Sequence, residues 1–176
     1  MGFSSLYAQE VTKAMTMLAQ DERTIFIGQS VAYDGQALFN TFDGVPMDKR
    51  VEMPVAEDFQ MGFCIGLSLM GKIPVCFYPR FDFLLLAVNQ LVNHLDKIPL
   101  ISDYRPKLII RTAVGHTHPL DPGPQHTQNH SEAFRSMLNT VDVVEIHSHE
   151  QVNEIYSQAM ESQKSTLVVE YMEKYL

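Results

Sequence analysis

Tryptophan is missing from this 176-residue chain, cysteine occurs only twice, and basic residues are outnumbered by acidic ones, 13 against 21. The shortage of cations leaves a formal net charge of −8 and no Lys/Arg cluster. That balance argues against nucleic acid or an anionic membrane surface as a partner, since phosphates and acidic headgroups would go unneutralised. Cys64 and Cys76 lie in apolar segments without C-x-x-C spacing. Neither a disulfide framework nor a structural zinc site is expected, and the two read as buried thiols of a reducing compartment. No uninterrupted apolar run approaches the roughly 20 residues of a spanning helix. The opening MGFSSLYAQEVTKAM lacks the charged-then-apolar order of a signal peptide, and Leu6 stands where N-myristoylation wants Ser or Thr. A cytoplasmic protein that engages no membrane is the expectation.

What is present suffices for one core. Hydrophobic residues make up 45% of the chain, which fits a single domain over residues 1–176. SLYAQEVTKAMTMLA (5–19) places Leu6, Val11, Ala14, Met15 and Leu18 near one stripe, predicting an amphipathic helix with Ser4 or Ser5 as N-cap. TIFIG, closed by Gly28, predicts a buried strand. Residues 29–48 read as loop with a helical turn near 37–42, residues 50–53 as a short strand, and 56–70 as a helix with Pro54 just outside its start. Strands over 73–78 and 107–112, a helix over 83–95, a helix from about Ser131, the strand VDVVEI, a helix over 150–162 and the strand TLVVEY complete the series. Such alternation predicts an α/β fold, a parallel sheet with helices on both faces and right-handed crossovers. Ligands of such sheets bind beyond the carboxyl ends of the strands.

Three features carry candidate chemistry. Glu57 and Asp58 open the 56–70 helix, where carboxylates commonly meet exposed N–H groups and the positive end of the helix dipole. FYPRFDF reads on composition as strand-end core. AVGHTHPLDPGPQHTQNH (113–130) has no periodicity, marks a functional loop, and holds His116, His118, His126 and His130 at spacings that would also suit a metal site.

Read together, PVAEDFQMGFCIGLSLMGKIPVCFYPRFDFLLLAVNQLVNHLDKI, DERTIFIG, KLIIRT and GPQHTQ resemble the β subunits of pyruvate and other 2-oxoacid dehydrogenases. Those subunits carry the pyrimidine-binding domain of thiamine diphosphate enzymes in the transketolase-like superfamily. The resemblance implies that Glu57, in the P-x-x-E motif, is catalytic and hydrogen-bonds a ring nitrogen of the cofactor's aminopyrimidine, activating it. It implies that the ring of Phe83 packs on that heterocycle, and that His126 of GPQHTQ is a catalytic loop histidine near cofactor and substrate. Asp58 keeps its role at the helix start.

The chain departs from that pattern in several places. Gln29 stands where the family has an acidic residue, so a proton relay through that position is in doubt. The loop between Val31 and Val51 is shorter than the family's. The diphosphate-binding domain and the C-terminal transketolase-type domain are both absent from this sequence, and Tyr33-Asp34-Gly35 and Phe42-Asp43-Gly44 are not the G-D-G that holds Mg²⁺. The resemblance therefore implies a split enzyme: thiamine diphosphate shared with an α-type subunit that supplies the Mg²⁺ ligands, in an α2β2 assembly, acting on a 2-oxoacid or a ketose. Gly62 and Gly66 suit close packing, either across that interface or within the domain. The alternatives are a split transketolase-like ketol transferase, a non-catalytic module that stabilises a partner, and a metal-dependent hydrolase built on the loop histidines.

Overall fold

The computed structural model describes residues 5–117 and 121–176. Six strands, β1 (Thr24–Gly28), β2 (Arg50–Glu52), β3 (Ile73–Tyr78), β4 (Ile109–Val114), β5 (Asp142–Glu145) and β6 (Thr166–Tyr171), form one sheet. Every pairing is parallel and the order is β2-β1-β3-β4-β6-β5. Around it stand α1 (Leu6–Leu18), α2 (Glu57–Leu69), α3 (Phe81–Leu84), α4 (Ile98–Ile101), α5 (Ser131–Met137) and α6 (His149–Glu161). The expected α/β fold with helices on both faces is the fold observed.

Burial on two faces explains why the strands read as continuous apolar runs rather than alternating ones. All residues of β3 and β4 are buried. Phe26, Val75, Ile109 and Val168 pack on one side with Val11, Met15 and Leu18 of α1 and Val152 and Tyr156 of α6. Ile27, Cys76, Ile110 and Leu167 pack on the other with Met61, Cys64 and Ile65 of α2. Cys64 and Cys76 are free and buried, as expected of core thiols. Gly28 ends β1 beside the Phe77 carbonyl oxygen, which an added Cβ would meet at 2.5 Å. Ser5 is the N-cap of α1 and accepts the Ala8 N–H at 3.2 Å, while Ser4 lies outside the described residues. Among the described residues no helix is long and apolar enough to cross a membrane.

Two expectations need correction. The helix predicted over 83–95 is instead α3, a 3-10 turn (Leu85–Ala87) and a π turn (Gln90–Leu95), followed by α4. The buried residues explain the break: Phe81, Leu84 and Ala87 recur every three positions, which suits tight turns, and Leu91 and Leu95 then recur every four. The π turn is fixed at its end by Asp96, whose carboxylate accepts the N–H groups of Asn139 and Thr140, each at 2.7 Å. The strand predicted over 107–112 runs from Ile109 to Val114, because Ser68 and Ser165 hydroxyls take the N–H groups of Lys107 and Leu108 ahead of the ladder. A further 3-10 turn (Met172–Tyr175) follows β6 and buries Met172 and Tyr175.

That turn closes over a buried ion pair. Arg111 donates to both Glu170 oxygens, at 2.9 and 3.0 Å, and to Thr41 at 2.8 Å, while Tyr156 and Tyr175 donate to the same carboxylate. The guanidinium also lies 5.0 Å from the Phe42 ring centroid and 5.1 Å from that of Phe77. A buried pair of this kind is tolerated because every charged atom is hydrogen-bonded.

Candidate active site

The candidate residues gather at the carboxyl edge of the sheet. Glu57 is the first residue of α2, five positions after β2 ends, and is only 6% exposed. The Gln29 amide, just past β1, donates to Glu57 Oε1 at 3.3 Å, and no described donor reaches Oε2. The Tyr78 hydroxyl, at the end of β3, donates to the Glu57 carbonyl at 3.0 Å, so the start of α2 is tied to the sheet from two sides. Burial pushes the Tyr78 phenol well above its usual range, which keeps it a neutral donor. No side chain caps α2: its N-cap is Ala56, and Asp58 is exposed in the first turn, adding charge there without a capping bond.

Gln29 is held in place by a residue the sequence did not single out. Glu52, the last residue of β2, accepts the N–H groups of Ser30, Val31 and Ala32, the latter two at 2.9 Å. The segment can wrap the carboxylate because Ser30 takes a left-handed conformation, φ 55°. The positively polarised amides and the carboxylate fix one another, and Gln29 is thereby fixed against Glu57.

Phe83 and His126 come together. Their ring centroids are 5.2 Å apart with the planes at 57°, and both side chains are partly buried. His126 Nδ1 is buried and has no hydrogen-bond partner among the described residues. His126 belongs to a loop that is held at four points. Asp82 accepts Gln128 Nε2 at 2.7 Å and contacts His130 Nε2 at 3.3 Å. Asn129 donates to Glu145 at 3.1 Å and to the Tyr171 hydroxyl at 2.9 Å. Burial alone would raise the Glu145 pKa, but bonds from Tyr171, Arg135 and Asn129 outweigh it and hold it at about 2. Gly115 is required behind the loop, since a Cβ there would meet the His126 carbonyl oxygen at 1.8 Å.

The described loop histidines do not converge. His116 faces Glu173 at 3.9 Å, His130 faces Asp82, and His126 faces Phe83, while His118 lies outside the described residues. Among the described residues no group of three His, Cys, Asp or Glu side chains is arranged to hold a metal ion. Phe77, Tyr78 and Phe81 are buried core residues.

Gly62 and Gly66 face outward. A Cβ at Gly66 would meet nothing within 4 Å, and one at Gly62 only the Gln90 side chain at 3.7 Å, so packing within the domain does not require either glycine. They line an open groove of about 580 Å³ with Phe59, Phe63, Leu67 and Met70. Phe59 and Phe63 stack at 6.0 Å, and Phe59 and Met70 are 59% and 84% exposed, an unusual density of apolar surface for one helix.

No family model matches the chain. It is 30% identical over 103 residues to the β subunit of 3-methyl-2-oxobutanoate dehydrogenase from Mycobacterium tuberculosis, a match covering 50% of this chain and 29% of that protein. It is 34% identical over 87 residues to the mitochondrial 2-oxoisovalerate dehydrogenase subunit β of Chaetomium thermophilum, covering 47% and 18%. With the human mitochondrial pyruvate dehydrogenase E1 component subunit β it shares 30% identity over 87 residues, covering 46% and 23%. Among solved structures, a chain described as a split gene transketolase, inactive β4 tetramer, superposes with a TM-score of 0.68 at 19% identity over 92% of this chain and 50% of that one, a likeness of fold. These matches span less than a third of each curated relative; the chain resembles 2-oxoacid dehydrogenase β subunits in sequence and a split transketolase β chain in fold.

Proposed function

We propose that this chain is the pyrimidine-binding subunit of a split thiamine diphosphate enzyme, and that residues 1–176 act as a single domain which completes its site with a separate diphosphate-binding subunit. The observation that carries the reading is Glu57: a buried carboxylate at the carboxyl edge of a parallel sheet, one oxygen held by Gln29 and the other reached by no donor among the described residues. The residues present fit an aminopyrimidine. Glu57 Oε2 is available to a ring N–H, Phe83 offers a partly exposed aromatic face, and the unpartnered Nδ1 of His126 is available to a polar group of cofactor or substrate.

In this reading Glu57 holds and shares a proton with the ring, Gln29 orients the carboxylate as a neutral donor, and Phe83 sets the ring plane. His126 holds or delivers a proton at a carboxylate or enolate-like oxygen of the substrate. When bound, thiamine diphosphate supplies the carbon nucleophile and electron sink for 2-oxoacid decarboxylation or acyl transfer. Mg²⁺ and its ligands belong to the partner, and the groove along α2 is the surface that receives that α-type subunit in an α2β2 assembly. A split transketolase-like ketol transferase is the second reading, supported by a fold likeness that spans 92% of the chain where the sequence matches reach half. Against a partner-stabilising module without catalysis stands the retained Glu57, while Gln29 in place of an acidic residue counts for it.

The test is isothermal titration of thiamine diphosphate with Mg²⁺ into the chain alone and into the chain mixed with a candidate diphosphate-domain polypeptide. Binding in the mixture alone is expected. Absence of binding in both refutes the reading and returns Glu57 to a structural role at the start of α2.

A further inference from the structure

We propose that Arg80 is the residue with which this edge reads an anionic group, a carboxylate or a phosphate, on its small-molecule substrate. The inference rests on the proposed function, which brings substrate to this edge. Arg80 follows Tyr78 and Pro79 at the end of β3 and is the N-cap of α3, in extended conformation with φ −142°. In the chain it lies between Tyr78, which is tied to Glu57, and Phe83.

Arg80 differs from the other arginines of the chain in what it touches. Arg23, Arg111 and Arg135 each lie against a carboxylate. Arg50 spends its guanidinium on the carbonyls of Val31, Phe42 and Val45, and Arg105 is exposed. Arg80 is partly buried, and among the described residues its guanidinium donates to the carbonyl of Pro79, at 2.7 Å. Among the described residues no carboxylate forms an ion pair with it. The charge of Asp82 offsets part of the burial, but its Oδ1 accepts from Gln128 and contacts His130, and no ion pair to Arg80 forms among the described residues.

Burial pushes the Arg80 guanidinium's pKa down, the signature of a cation stripped of water and incompletely compensated. A desolvated cation without a counter-charge is costly to keep. The cost is recovered when an anion arrives, and the guanidinium N–H groups not given to Pro79 match the oxygens of a carboxylate or phosphate. In a chain of net charge −8, such a group also gives local attraction that the overall field does not.

The experiment labels the full chain with ¹⁵N-arginine and follows the Arg80 Nε–Hε resonance, assigned by its disappearance in R80K. Pyruvate and inorganic phosphate are titrated separately against sodium chloride of equal ionic strength, into the chain alone and into the assembled complex. A saturable shift with pyruvate or phosphate, absent with chloride, is the expected result, and whichever anion gives it identifies the group read. R80Q should weaken binding of that anion at least tenfold. No saturable shift with either anion overturns the inference. So does a shift on adding the partner that neither anion changes further, which would make Arg80 an interface residue. Cofactor binding by the unsubstituted complex is measured separately, so failure of the proposed function is told apart from failure of the Arg80 assignment.

Discussion

Replacing Glu52 should loosen the carboxyl edge at a point that touches no ligand. In the wild type its two oxygens accept three consecutive backbone N–H groups, from Ser30, Val31 and Ala32. Hydrogen bonds to a charged acceptor contribute about 1.5–3 kcal/mol each, and water can replace part of that in a half-buried segment. Glu52→Gln keeps the shape but turns one acceptor into an NH₂ group facing backbone donors, and Glu52→Ala removes both acceptors. The local stability of residues 30–32 should fall by about 2–4 kcal/mol in Glu52→Ala, with Glu52→Gln at the lower end. Ser30 loses the interaction that holds its left-handed conformation, so Gln29 should leave Glu57. The assay is native-state hydrogen exchange at the three amides, where roughly 1.4 kcal/mol per tenfold predicts a loss of protection of about 30- to 1,000-fold. Exchange within threefold of wild type in Glu52→Ala would refute the reasoning and show that the segment holds its shape without the carboxylate.

Other consequences follow from the same packing. Gly115→Ala places a methyl group against the His126 carbonyl and should displace the 121–130 loop, read as loss of the Phe83–His126 nuclear Overhauser contacts with the sheet resonances preserved; unchanged contacts would contradict the close approach. The Glu145 carboxyl, held at about 2 in the folded chain, should add stability that is fully present above its unfolded value of about 4.3 and is lost as pH falls from there towards 2. Urea midpoints of wild type and Glu145→Gln should converge across that window, and a gap that stays constant down to pH 2 would refute the assignment. Arg111→Ala leaves the Glu170 carboxylate buried without its cation and should cost about 3–5 kcal/mol in urea unfolding, whereas a cost under about 1 kcal/mol would mean the pair is not closed as described.

The sheet was legible because its strands are buried on both sides, so TIFIG, IPVCFY and TLVVEY carry an apolar signal that no surface helix imitates. The 81–101 region was not legible, since a run in which buried positions recur first every three and then every four residues matches no single helical period. Arg111 lay in a segment correctly read as strand, but its partner Glu170 is 59 positions away and no local pattern announces the pair. The same holds for Glu52, Asp82 and Asn129, single polar residues whose meaning depends on which loop meets them. Glu57, Phe83 and His126 were singled out through resemblance, and the fold sets all three at one edge with Phe83 against His126. Arg80 sits in an aromatic run that hides it, and what distinguishes it is that no carboxylate among the described residues pairs with it, which a sequence does not display.

The central claim is that Glu57 acts on the cofactor's pyrimidine and does more than begin a helix. The most direct measurement is deuterium exchange at the thiazolium C2 of thiamine diphosphate, followed by NMR in the assembled complex with wild-type chain and with Glu57→Gln. The account predicts exchange in the wild-type complex far faster than in free cofactor and at least 100-fold slower in Glu57→Gln, with cofactor affinity changed less than tenfold. Equal exchange rates in the two complexes, each with cofactor bound, would contradict it.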